Sequence, residues 1–308
     1  MGSVERRALV AAGITIVLWA SAYVGIRALA GTFSPGAIAV GRLAVAALAL
    51  APLLLRQGWQ PVGRRDLVLI VASGLLWYAL YFVVLNEAER HVDAATASLL
   101  VNTGPIFVAS FAGMFLGEGL PRRLLVGVLV AFAGAIVVGL STSGSDGTTT
   151  VSLEGVVLCL IAAVSYAAGV TLQKRPAATV PALQLTWLAC FSGLVATLPF
   201  APTLIGELNG APLEQVSWLV YLGLFPTALG FTTWAYALRR TSAGRLGATT
   251  YLIPPVVIVI AWLLLGELPP ALAVVGGAIC IAGVVIVRTP SLGRRRPPPE
   301  PEAVATDS

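Results

Sequence analysis

The sequence predicts an all-α, polytopic membrane protein of ten transmembrane helices laid out as a 5+5 inverted-topology repeat. Three observations carry that prediction. Only 11% of the residues are charged and 57% are hydrophobic, with a mean hydropathy of +0.90, whereas about 25% charged residues is usual in a soluble domain. The apolar residues fall in ten blocks of roughly the 20 residues that a helix needs to cross the hydrocarbon layer. The second half of the chain also repeats the first at a fixed offset.

In chain order the blocks run from Ala8 to Ala30, Gly36 to Leu55, Leu67 to Leu85, Ala94 to Leu116, Leu124 to Leu140, Leu153 to Leu172, Ala182 to Ala201, Val216 to Leu238, Gly247 to Leu265 and Ala271 to Val287. The first, preceded by Arg6-Arg7 and closed by Ala28-Leu29-Ala30, has the outline of a secretory signal. Its apolar core is longer than the 7 to 15 residues of such signals and carries Trp19, Tyr23 and Arg27, so it reads as a retained helix. Residues 1–7 form a cytoplasmic N-terminus, 8–140 a first repeat, 141–152 an external Ser/Thr/Gly-rich linker, 153–288 a second repeat, and 289–308 a disordered cytoplasmic tail rich in Pro and Arg.

Orientation follows from the basic residues. With the N-terminus inside, the inner segments collect 16 of the 19 Lys and Arg, and the outer loops only Arg90. Both termini are therefore expected in the cytoplasm. The net charge of +5 belongs to those inner loops and not to a nucleic-acid surface.

The repeat is read by sliding the chain against itself by 149 residues: from Gly74 to Val138, 20 of 65 positions are identical, among them Phe82/Phe231, Pro105/Pro254 and Glu118/Glu267. Five spans per copy is an odd number, so the second copy enters the membrane from the opposite side. Charge obeys the compartment: Leu-Gly-Glu at 116–118 is followed by Arg122-Arg123, while its twin at 265–267 is followed by Ala271-Leu272.

Candidate site residues follow from polar and aromatic side chains inside spans. Thr15, Trp19, Tyr23 and Arg27 step by four along the first span; Tyr78 and Tyr81 mark the third, Asn102 the fourth, Tyr166 the sixth, Thr227 and Trp234 the eighth, and Tyr251 the ninth. Buried Tyr and Trp want hydrogen-bond partners, which a wet pathway supplies, while a lipid-interface belt is the other use of such residues. Trp19, Tyr23, Tyr78, Tyr81, Asn102, Tyr166, Trp234 and Tyr251 are thus the expected substrate-binding set. Pro105 and Pro254, at matching depth, are expected hinges because proline removes a helix hydrogen bond. Arg42 is an intramembrane charge, read either as structural or as attracting a substrate anion. Glu118 and Glu267 read as helix-end anchors. Glu87, Glu89 and Asp93 fall in an outer loop, and no Asp or Glu lies deep in a span, which disfavours exchange of lipophilic cations for protons.

Cys159, Cys190 and Cys280 lie in spans at unrelated spacings and His91 in a loop, so no disulfide, metal, catalytic or cofactor site is expected. Gly127, Ala131, Ala135 and Gly139 in the fifth span, with Gly276 and Cys280 in the tenth, form small faces that suit close helix packing, or a dimer contact.

The runs TASLLVNTGPIFVASFAGMFLGE and ALRRTSAGRLGATTYLIPPVVIVIAWLLLGE resemble the paired fourth and ninth helices of the EamA-type branch of the drug/metabolite transporter superfamily. The resemblance covers essentially the whole chain. It implies a basket of ten helices around a pathway lined chiefly by helices one, three, four, six, eight and nine. It further implies transport in the direction of export, without fixing a substrate. The expected cargo is a small metabolite, amino acids foremost, and the expected protein is a monomer or homodimer of the bacterial cytoplasmic (inner) membrane that is not an enzyme. Drug efflux and a non-transporting membrane sensor or receptor are the alternatives.

Overall fold

The computed structural model describes residues 3–115, 122–140, 152–240 and 249–288. Glu118, the linker up to residue 151 and the tail from 289 lie outside the described residues, among which the regular elements are all helical and no strand occurs. In order, the helices are α1 (Ser3–Leu29), α2 (Pro35–Gln57), α3 (Arg64–Ser73), α4 (Tyr81–His91), α5 (Ala94–Val101), α6 (Gly104–Phe115), α7 (Arg122–Leu140), α8 (Leu153–Gln173), α9 (Pro176–Thr179), α10 (Ala182–Thr197), α11 (Ala201–Leu208), α12 (Leu213–Leu222), α13 (Gly230–Arg240), α14 (Ile253–Leu265) and α15 (Ala271–Arg288). A π-helical segment, Gly74–Leu80, joins α3 to α4, and another, Gly223–Leu229, joins α12 to α13.

Among the described residues, six stretches are long and apolar enough to cross a membrane, with shorter apolar helices beside them. The outward faces of α2, α7 and α14 carry Leu48, Leu129, Ile136 and Leu263, all more than half exposed, an apolar surface that water would not tolerate and lipid does. Local chemistry sets the ends. Pro35 opens α2, the Asp93 carboxylate accepts from Thr96 N at 2.8 Å to cap α5, and Ser152 Oγ accepts from Gly155 N to cap α8. Gly266, at φ 67°, closes α14 in the left-handed conformation, which gives the glycine of the second Leu-Gly-Glu its reason.

Several elements begin 149 residues apart: 64 and 213, 74 and 223, 81 and 230, 104 and 253, 122 and 271. Two ends of the bundle are tied by polar contacts. At one, Asn86 donates to the Pro35 carbonyl and Ser152 N to the His91 carbonyl. At the other, Gln60 and Gln184 exchange hydrogen bonds and Arg175 meets Asp66 at 3.1 Å.

α7 and α15 pack against each other within the chain, with Gly134 of α7 seated on Gly276 and Cys280 of α15. A Cβ on Gly134 would lie 2.6 Å from the Gly276 carbonyl oxygen and from Cys280 N, backbone atoms that cannot yield. Gly134→Val is therefore expected to destabilise the protein by about 1–3 kcal/mol. A lowered thermal midpoint in detergent checks this, and an unchanged midpoint would show that the two helices separate freely.

Candidate functional site

A cavity of about 580 Å³, counting its open mouth, lies between α1, α2, the α3–α4 helix, the α5–α6 junction, α8, α13 and α14. Trp19, Tyr23 and Ile26 face it from α1 at helical spacing. Its floor is aromatic. Phe231 is the hub, with ring centroids 4.9 Å from Trp77, 5.1 Å from Trp19 and 4.5 Å from Tyr78. Such pairs contribute about 0.5–1.5 kcal/mol each beyond their buried area, so the floor is stiff.

Arg42 is the cation of this wall. Its position traces to the Pro226-Thr227 pair in the second π segment. Pro226 has no N–H for the Leu222 carbonyl four residues earlier; the Thr227 hydroxyl donates to that carbonyl instead, at 2.7 Å. The Thr227 hydroxyl oxygen in turn accepts from Arg42 Nε at 3.0 Å. The guanidinium lies 3.9 Å above the Phe82 ring, and its terminal Nη groups have no hydrogen-bond partner among the described residues. Held from one side and stacked on another, the charge is 2% exposed yet lines the cavity. An intramembrane arginine placed so is a fixed electrostatic feature of the space it borders.

Beside Arg42 the fourth span breaks. The helix stops at Asn102–Thr103 and resumes at Gly104, so Pro105 occupies the first turn of α6, where a missing N–H does least harm. In the ninth, a 3₁₀ turn over Thr250–Leu252 precedes α14, whose first turn holds Pro254. Asn102, Pro105, Thr250 and Ile253 all border the cavity.

The EamA-like transporter family matches the chain twice, over residues 6–140 and again over 153–289. The chain belongs to this family. It is 37% identical to a protein of Streptantibioticus cattleyicolor named "Probable terminal-alkyne amino-acid exporter", over 92% of this chain and 94% of that one. A pseudopaline exporter of Pseudomonas aeruginosa is 30% identical over 77% of this chain and 81% of its own length. A crystal structure of 19% sequence identity shares the fold, with a TM-score of 0.61 over 91% of this chain and 95% of the other. This EamA-like protein is thus a multi-pass membrane protein and a transporter.

Of the residues expected at the site, the EamA-like fold brings Trp19, Tyr23, Tyr81, Asn102, Tyr166, Arg42 and Pro105 to the cavity. Tyr78 and Trp234 do not reach it. Tyr78 was paired with Tyr81 on α-helical spacing, but the π segment takes up an extra residue per turn and rotates Tyr78 into the core against Gly193, with Trp77 in its place at the wall. Trp234 is buried one layer below, its ring centroid 4.9 Å from that of Trp19. The Tyr251 side chain and Glu118 lie outside the described residues. Pro254 is buried beside the cavity without lining it, and Glu267 follows the end of α14 and pairs with Arg27 Nε at 3.0 Å.

Sequence reasoning missed Phe82, Phe231, Val101 and Thr250. The first two and the last two are 149-residue pairs that both line the cavity, so repeat position was the signal that could have found them. It also placed Glu89 in a loop. The helix instead continues to His91, and Glu89 is fully buried in it. The third span therefore does hold a buried carboxylate, near its His91 end, where none was expected.

Proposed function

We propose that this transporter exports small carboxylate-bearing metabolites, amino acids foremost, by alternating access between two mouths. The observation that carries the reading is Arg42: a guanidinium that lines a mostly aromatic and apolar cavity, its Nη groups without a partner among the described residues, suits a carboxylate joined to a small, weakly polar body. The names of the two related exporters support export, and one names an amino-acid cargo.

The inverted 5+5 arrangement of ten helices is part of the same proposal. Its support is the shared 149-residue spacing of element starts, the two family matches and the basic-residue asymmetry, which assigns the Gln57 end to the cytoplasm and the His91 end to the outside. Reporter fusions after Gln57 and Lys174 are expected to read as cytoplasmic and a fusion after Asn209 as external. A fusion that inverts this alternation rules the arrangement out.

Function is tested by loading proteoliposomes with a panel of amino acids, dicarboxylates and uncharged analogues and following counterflow. Exchange of one or more carboxylate-bearing members is the expected result. A panel in which nothing moves would favour a sensor or receptor.

A further inference from the structure

We propose that Glu89 binds a proton and that its occupancy couples proton movement to opening of the His91 end of the bundle. Glu89 is fully buried near the end of α4, and neither carboxylate oxygen has a hydrogen-bond partner among the described residues. An ionised carboxylate in that position costs several kcal/mol unless it gains a partner or a proton. The other carboxylates nearby are served: Asp93 accepts from Thr96 N and Oγ1, and Glu267 holds Arg27.

Arg27 is the natural partner, and it is committed elsewhere. Its Nε donates to Glu267 and its Nη1 donates, at 2.9 Å, to the main-chain oxygen of Glu89 itself. The guanidinium therefore ties α1 both to the connection after α14 and to the end of α4. The remaining groups within electrostatic reach of Glu89 are Arg42 on α2, Tyr23 on α1, Tyr81 on α4 and Cys159 on α8.

A protonated Glu89 leaves the Arg27–Glu267 tie intact and this end closed. Once the proton is lost, Glu89 competes with Glu267 for Arg27, the tie loosens, and opening brings the carboxylate to water, where it can take a proton from outside. Tyr23 and Tyr81, whose hydroxyls face each other, line the cavity and offer the proton a path to the opposite mouth. Position 238, the repeat equivalent of Glu89, is Leu, so this carboxylate is private to the first copy and the two states are not equivalent. Coupling to export rests on the transporter reading above, but the test below uses no transported substrate and fails independently of it.

Two readouts test the idea. In the infrared spectrum of the purified wild type at neutral pH, a protonated-carboxyl stretch that disappears on alkaline titration is expected, and E89Q should lack it. Second, Val92 is buried beside Glu89 against α8. With the three native cysteines replaced, V92C should react with an impermeant maleimide faster as pH rises, by about tenfold for each 1.4 kcal/mol of shifted equilibrium. Rates are taken relative to a cysteine at exposed Asn209, which cancels the thiol's own titration. In the E89Q background the relative rate should stay low and independent of pH. Absence of the infrared band in wild type, a relative rate flat with pH in wild type, or pH dependence retained in E89Q would each overturn the proposal. The wild-type titration decides the matter even if E89Q fails to fold.

Discussion

Replacement of Arg42 by methionine is expected to weaken binding of a carboxylate-bearing substrate by about 10- to 150-fold, the equivalent of the roughly 1.5–3 kcal/mol of a hydrogen bond to a charged group. Methionine keeps most of the apolar volume over Phe82 and removes the charge. Thr227 still donates to the Leu222 carbonyl, so no buried donor is orphaned there. Arg42→Lys is the intermediate case, keeping the charge but losing the Nε bond to Thr227 and the planar stacking on Phe82. The discriminating measurement is competition of a transported acid against its own methyl ester in counterflow. If Arg42 holds the carboxylate, only the acid should lose affinity in R42M. If acid and ester lose affinity together, Arg42 acts only by bracing α2 against the second π segment.

How far the sequence led can be seen at particular residues. Helices followed from apolar blocks because hydrocarbon leaves the backbone no other partner than itself. The junctions before Pro105 and Pro254 were legible because proline cannot donate a helix bond. Faces were legible only where the α-helical period holds. It holds along α1, which delivers Trp19 and Tyr23 to the cavity, and it fails across Gly74–Leu80, which turns Tyr78 inward. The end of the third span was misread for a different reason. Glu87, Glu89, Arg90 and His91 look like a loop by composition, but Ala88 and Glu89 are covered by neighbouring helices, and tertiary burial overrode the local charge. Similarly the seventh span runs past Ala201 through α11 to Leu208, where Glu207 accepts from Ser34 N.

Pro105→Ala and Pro254→Ala are expected to move the balance between the two mouths in opposite senses. Each substitution supplies an N–H where the chain has none, and so favours continuous helix across Asn102–Thr103 in one copy and, less fully because Pro255 remains, across Thr250–Leu252 in the other. In both copies the residue whose carbonyl would receive that new bond, Val101 or Thr250, lines the cavity, so straightening the helix withdraws the wall at that point. Because the copies are proposed to be inverted, the same local change pushes the protein toward opposite states. A shift of 1.4 kcal/mol would alter the state ratio by about tenfold. Val92 and Ala12, both buried, sit toward the two ends of the bundle, and a cysteine at either is reached only when its own end opens. In a background lacking Cys159, Cys190 and Cys280, one substitution should therefore raise labelling at position 92 and lower it at position 12, and the other should do the reverse. Movement of both labels in the same direction by both substitutions, or by neither, would separate the prolines from the transport cycle. They would then be no more than the residues that open α6 and α14.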